Sequence, residues 1–290
     1  MRNFLQKNAQ TAARLTLKNP TYRHFTSAFL NLLYKADLGK KDLTTNLLQN
    51  PQRKITAQIY SKQRGVLAGL TEIQYWLNTQ KVQLTPFQQD GQTLQKNLAV
   101  ATLTGSAQNI LQTERTALNL IQRLSGIATA SANLARKIQS QNFAATRKTL
   151  VGPLDLKALT LGGGLPYRLG LFDQIFLKEN HFALQPQLWA KIPRNQFVTI
   201  ELDSSQIEIA RKLVNYRNLI LLLDNFSVAC LKKVVPQLRA LNSNFILEAS
   251  GGITPQNAKQ FLATGVDFIS LGYLTHSAPA LDFSLKITEY

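Results

Sequence analysis

Leu219-Ile-Leu-Leu-Leu-Asp-Asn225 puts five apolar residues in a row and closes them with an acid and an amide. A short, unbroken apolar run is the pattern of a strand covered on both faces, and such strands belong to parallel sheets. The same unit recurs outward from it. Apolar runs stand at Phe143–Thr146, Ile175–Lys178, Phe197–Leu202, Phe245–Ala249 and Phe268–Leu271. Helical patterns fill the gaps at Gln206–Tyr216, Val228–Leu241 and Pro255–Thr264. From Phe197 onward the strand starts lie 22 to 26 residues apart. Alternation of this kind makes βα units. It predicts an α/β barrel, with an open doubly wound sheet as the alternative.

Each run ends in polar or glycine residues. Lys178 follows Ile175-Phe-Leu, Glu201 follows Val198-Thr-Ile, and Asp224 follows Leu223. Ser250-Gly251-Gly252 follows Leu247-Glu-Ala, and Gly272 follows Ile269-Ser-Leu. Barrel sites are assembled at the carboxyl ends of several strands, so these groups are predicted to share one rim. A lone strand-end Asp also serves as a helix cap; five polar ends in register weaken that reading. Exposed glycine N–H groups suit phosphate, and Glu201 and Asp224 suit ribose hydroxyls or magnesium. Arg147-Lys148 at the first strand end, and Arg168 after Gly162-Gly-Gly164, suit carboxylates. The set asks for a ligand with phosphates, a ribose and a carboxylate.

Upstream, Phe25–Leu33 is helical in spacing, Ile55–Ile59 alternates, Asp90-Gly91 marks a turn, and Leu98–Thr104 reads as a strand ending at Gly105. Residues 55–100 read as short strands and turns, within a mixed α+β domain. Gln108–Gln139 carries apolar residues at intervals of three and four, with a kink or break expected near Ser125-Gly126. Residues Met1 to His24 contain five Lys/Arg and no acid. They predict a helix that packs on the first domain and stops at Pro20. The composition also overlaps with an organelle transit peptide.

The 290 residues carry a formal charge of +17, and residues 1–70 hold twelve Lys/Arg against Asp37 and Asp42. No zinc finger, basic zipper or aromatic-plus-glycine RNA signature accompanies this charge, which disfavours nucleic acid as a partner. No apolar run approaches the ~18–20 residues of a membrane span. Cys230 is the only cysteine, so four-ligand zinc sites with two or more cysteines are excluded and a reducing compartment, the cytoplasm, is expected.

Several motifs now combine: Glu114-Arg-Thr-Ala-Leu-Asn119, Gln122–Thr129, Thr146-Arg-Lys-Thr149, Gly162-Gly-Gly164 with Tyr167-Arg168, and Leu177-Lys-Glu-Asn-His181. Leu223-Asp-Asn225, Glu248-Ala-Ser-Gly-Gly-Ile253, Gly265-Val-Asp267 and Leu274-Thr-His276 continue the series, and Ala36–Thr44 and Arg64–Gly69 precede it. From about residue 28 to the end the chain resembles quinolinate phosphoribosyltransferases, which join quinolinate to phosphoribosyl pyrophosphate with loss of carbon dioxide, in NAD synthesis. The resemblance implies an N-terminal α+β sandwich-like domain followed by an incomplete, TIM-like α/β barrel. It implies magnesium, and a homodimer with higher assembly left open. The implied layout is a basic extension over 1–24, an α+β domain over 25–112, a barrel over 113–275, and a segment over 276–290 that returns to the α+β domain.

The resemblance also assigns roles. Arg147, Lys148 and Arg168 would take the quinolinate carboxylates, with Thr146 and Tyr167 beside them. Arg115 would enter the neighbouring subunit's site. Lys178 would lie between the substrates, Glu201 and Asp224 would hold the ribose and its magnesium, and Ser250, Gly251, Gly252, Leu271, Gly272 and Tyr273 would line the phosphate. Three positions depart from the family pattern: Ala145 replaces an Asp, Val151-Gly-Pro-Leu154 replaces Pro-Gly-Leu-Arg in a segment shortened by two residues, and Tyr167 replaces a His. A related branch associated with molybdenum transport, acting on another acid, and a non-catalytic paralogue are the alternative readings.

Overall fold

The structure is a computed structural model that describes residues 1–193, 196–203 and 206–289. The elements run α1 (Arg2–Ala13), α2 (Pro20–Leu38), β1 (Lys54–Ser61), β2 (Gly65–Val66), α3 (Leu70–Thr79), β3 (Gln83–Pro86), β4 (Thr93–Leu94) and β5 (Ala99–Ser106). Then come α4 (Ala107–Ile138), β6 (Phe143–Ala145), α5 (Pro153–Leu161), β7 (Ile175–Leu177), α6 (Glu179–Leu184), β8 (Val198–Leu202) and α7 (Ile209–Lys212). The chain ends with β9 (Leu219–Asp224), α8 (Val228–Leu241), β10 (Ile246–Ser250), α9 (Ala258–Leu262), β11 (Phe268–Leu271), α10 (Tyr273–His276) and β12 (Phe283–Glu289).

Two compact units divide these elements. One holds Arg14–Asn133, Pro153–Gly163 and the C-terminal stretch from Ala278. Its main sheet is antiparallel, in the order β12-β1-β5-β3. β1 alternates buried and more exposed residues, as a sheet with one covered face must. Trp76 of α3 is fully buried and its indole N–H donates to Asn31 Oδ1 at 2.9 Å. Arg123 grips the buried Asp155 through two bonds of 2.9 and 2.6 Å.

The other unit holds Met1–Ala13, Leu134–Gly152 and Gly164–Ser277. Its six strands lie in the order β6-β11-β10-β9-β8-β7, and every pairing between them is parallel. The apolar run Leu219–Leu223 lies in β9 and is buried along its whole length. The expected incomplete α/β barrel is therefore the observed architecture.

Several local expectations change. α1 ends at Ala13, and Pro20 starts α2 at its first turn, where a missing N–H costs nothing; Asn19 caps the amides of Thr21 and Tyr22. α1 joins the parallel-sheet unit rather than the first α+β domain, because Phe4 is fully buried against Tyr167 and Phe268. α4 runs unbroken through Gly126. A Cβ there would lie 2.2 Å from the Pro279 carbonyl, so this glycine admits a crossing chain rather than a kink. α3 occupies a stretch expected to hold only strands and turns. The helix expected over Pro255–Thr264 shrinks to Ala258–Leu262, since the Asn257 side chain bonds Thr254 N and Gly252 O and competes for the first turn. Over Gln206–Tyr216 only Ile209–Lys212 is helical, and the flanking bonds, such as Leu213 N to Ala210 O, have the tighter three-residue span.

Candidate active site

A cavity of about 490 Å³ opens at the carboxyl ends of the parallel strands. Thr146, Arg147, Lys148, Tyr167, Arg168, Lys178, Glu201, Asp224 and Ser250 line it, together with Phe176, His181, Glu248 and Ser270. Parallel pairing explains the gathering. Ser250 is in register with Asp224, Glu201 with Leu222, and Leu271 with Ala145, so strand ends that are far apart in sequence share one level.

Lys178 Nζ pairs with Glu201 Oε2 at 2.9 Å and stands 5.2 Å from the centre of the Phe176 ring. Arg168 lies over the same ring at 4.8 Å, a cation–π arrangement. Burial, and then the neighbouring Arg147, pull the Arg168 guanidinium below its ordinary range. Its Nε is buried and, among the described residues, has no hydrogen-bond partner. A cation so desolvated gains most from an incoming anion.

The turn after β10 brings backbone to the rim. Gly251 has φ +87°, and a Cβ there would meet Asn225 Oδ1 at 2.2 Å and Asn225 N at 2.7 Å. No other residue fits so close an approach. Asn225 in turn donates from its own N to Ser250 O at 2.9 Å and from Nδ2 to Asp224 Oδ2 at 2.7 Å. This fixes the strand-end acid beside the glycine turn. Gly252 follows the end of β10 and Gly272 the end of β11; Leu271 is buried, so it offers only backbone, and Tyr273 opens α10. Arg115 is exposed on α4, in the other unit, and is not among the cavity's lining residues.

Tyr167 lines the cavity, but its hydroxyl is bonded to the buried Thr199. Lys7 donates to the Tyr167 carbonyl at 3.2 Å. Burial, and then Glu248, hold the phenol well above its usual range. Removing that hydroxyl in Tyr167→Phe is expected to cost about 1–2 kcal/mol of stability, read by urea denaturation, because Thr199 loses a partner in the interior.

Glu248 was not singled out by the strand-end pattern. It sits two residues before the end of β10, only 1% exposed, and its Oε1 takes the Ser270 hydroxyl. The signal was a charged residue inside an otherwise apolar strand. Burial pushes its carboxyl from 4.5 up to about 8, with Glu201 and Asp224 adding to the rise. Between those two values the folded chain binds a proton that the unfolded chain has released, so this group's contribution falls as pH rises. Relative to Glu248→Gln, the wild type is expected to lose about 2 kcal/mol of stability from about pH 5 to about pH 7. Parallel denaturation curves for the two proteins measure it.

Residues 42–125 match the N-terminal domain model of quinolinate phosphoribosyl transferase, and residues 127–286 match its C-terminal domain model. The chain is 36% identical over 249 residues to a probable nicotinate-nucleotide pyrophosphorylase [carboxylating] of Archaeoglobus fulgidus, covering 82% of this chain and 96% of that one. It is 36% identical over 271 residues to the protein of the same description in Bacillus subtilis, covering 89% and 92%. Among solved structures, NadC from Streptococcus pyogenes superposes with a TM-score of 0.80 at 29% identity, over 91% of this chain and 96% of that one. Nicotinate-nucleotide pyrophosphorylase from Ehrlichia chaffeensis gives 0.78 at 32% identity, over 90% and 98%. With both domain models matched in order and the parallel half-barrel beneath them, the chain belongs to the quinolinate phosphoribosyl transferase family.

Proposed function

We propose that the cavity takes quinolinate and phosphoribosyl pyrophosphate and releases nicotinate mononucleotide, pyrophosphate and carbon dioxide, as a decarboxylating pentosyltransferase of NAD biosynthesis. The observation that carries this reading is the gathering of Arg147, Arg168 and Lys178 with Glu201 and Asp224 in one cavity. Two carboxylates on a pyridine ring need the cations, and a ribose with its phosphates needs the acids and the glycine turns.

Arg147, Lys148 and Arg168 bind the quinolinate carboxylates, with Thr146 and Tyr167 beside them. Arg168 lies over the Phe176 ring at 4.8 Å, and its planar fork suits a carboxylate. Glu201 and Asp224 hold the ribose hydroxyls and stabilise positive charge as the ribosyl carbon loses its leaving group. Lys178, anchored by Glu201, stands between the two substrates. Ser250, Gly251, Gly252, Leu271, Gly272 and Tyr273 receive the 5′-phosphate through backbone N–H groups. Glu201 and Asp224 are a two-carboxylate donor set, which fits magnesium that completes its shell with substrate phosphates. Bound there, the ion would neutralise charge on the departing pyrophosphate.

We also propose a homodimer in which Arg115, exposed on its helix, completes the neighbouring subunit's acid pocket. The lone cysteine, Cys230, is free, which supports work in the reducing cytoplasm. Among the described residues no helix is long and apolar enough to cross a membrane.

Arg147→Ala tests the acid pocket. Loss of one charge-assisted contact, worth about 1.5–3 kcal/mol, is expected to lower kcat/KM for quinolinate at least about tenfold. Steady-state kinetics with unchanged constants would remove Arg147 from the site.

A further inference from the structure

We propose that Phe176 positions two of the cavity's cations, Arg168 and Lys178, through the face of its ring. The assignment rests on reading the cavity as the quinolinate site. The Arg168 guanidinium carbon lies over that ring at 4.8 Å from its centre, and Lys178 Nζ at 5.2 Å. Both fall within the ~6 Å at which a ring quadrupole attracts a cation.

The backbone explains the meeting. Side chains of a strand alternate between its faces, so residues two apart share one. Phe176 lies in β7, and Lys178 follows the strand end with its backbone still extended, at φ −125° and ψ 170°. Both line the cavity. Phe176 is in register with Thr199 of β8, and the Tyr167 hydroxyl is bonded to Thr199. The residue before Arg168 is thus pinned at the level of Phe176.

The ring supplies support that the polar neighbours do not. Arg168 Nε is buried and has no hydrogen-bond partner among the described residues. Burial, and then the like charge of Arg147, weigh against this cation. Lys178 has Glu201 at 2.9 Å, but half of its side chain is exposed. Glu201 is also assigned to the ribose hydroxyls, so its grip on Lys178 is shared once substrate binds. A carboxylate in place of the ring would hold both cations, yet it would neutralise them and compete with the substrate's own carboxylates. The ring carries no net charge. Its negative face attracts the cations and leaves their positive charge to be met by the acid.

Fluorination tests this with little change in size, because each fluorine withdraws electron density from the ring face. Mono-, di- and trifluorinated phenylalanine are placed at position 176 of the full chain. Steady-state kinetics follow with quinolinate, phosphoribosyl pyrophosphate and magnesium. Expected is a stepwise rise in KM for quinolinate, reaching about tenfold in the trifluorinated protein, with KM for phosphoribosyl pyrophosphate within about twofold of wild type. Phe176→Leu, an apolar filler without a ring, should match the trifluorinated protein, whereas Phe176→Tyr, which keeps the ring, should stay near wild type. A role in packing alone leaves the fluorinated set level, and a level set overturns the assignment. Equal KM values for quinolinate in the Leu and Tyr variants overturn it too, and that pair decides should a fluorinated chain fail to fold. A level series in an active wild type removes only the role of Phe176. If the wild type itself releases no quinolinate-dependent pyrophosphate, the reading of the cavity fails and takes this inference with it.

Discussion

Mixing Lys178→Ala chains with Arg115→Ala chains is expected to restore activity that neither variant has alone. Each substitution removes a preorganised positive charge, and such a loss typically costs about 10²–10³ in rate. If every site combines one subunit's Lys178 with its neighbour's Arg115, a hybrid dimer contains one site lacking both groups and one that is intact. Random exchange at equal amounts makes about half of the dimers hybrid, so about a quarter of wild-type activity should return. Activity is assayed after unfolding and refolding the two variants together, with differently tagged chains to count hybrids. Hybrids that form and remain inactive would contradict a shared site. Activity that returns without hybrids would point to incomplete inactivation instead.

Phe4→Ala is expected to cost about 3–5 kcal/mol, the range for emptying an aromatic position in a packed interior. Phe4 is fully buried, stacked on Phe268 with ring centres 4.8 Å apart and set edge-on to Tyr167 at 5.8 Å. It belongs to one core cluster with Ala144, Ile220 and Ile246. From the same helix, Lys7 reaches the Tyr167 carbonyl and, at 3.6 Å, the Asp173 carboxylate. The segment bearing Arg168 is therefore held from below by α1. A rise in KM for quinolinate should accompany the lost stability, because Arg168 loses part of its support. Leu5, 44% exposed on the same helix, serves as control: its alanine variant should stay within about 0.5 kcal/mol of wild type. Equal effects at positions 4 and 5 in urea denaturation would mean that α1 is not packed as described.

The parallel sheet was legible because its strands carry the signal themselves. Leu219–Leu223 is buried along its whole length, and an uninterrupted apolar run can announce that without help from the rest of the chain. Helices whose ends are completed elsewhere were not legible. α3 starts after Gly69, and the acceptor for its first amides is Asp90, which bonds Leu70 N at 2.9 Å and Thr71 N at 3.3 Å from twenty residues away. No local cap marks that start, so periodicity alone had to carry it. Gly126 misled for a related reason. Its purpose is the approach of Pro279, which propensity cannot foresee. The position of α1 likewise depends on a tertiary socket for Phe4.

The same division applies to the cavity. Lys178, Glu201, Asp224 and Ser250 could be picked out because they close apolar strands, and parallel register then brings them to one level. Glu248 lies before the end of its strand, where alternation in an all-buried strand gives no warning that a side chain faces a cavity. Nor does the sequence show that the Tyr167 hydroxyl is bonded to Thr199. Such pairings depend on three-dimensional neighbours and cannot be read along the chain.

The most direct test of the function is product analysis of the purified protein with quinolinate, phosphoribosyl pyrophosphate and magnesium. The cavity described here predicts nicotinate mononucleotide, pyrophosphate and carbon dioxide in equal amounts, each dependent on quinolinate. Pyrophosphate released without quinolinate, or a mononucleotide formed from another acid without carbon dioxide, would contradict it.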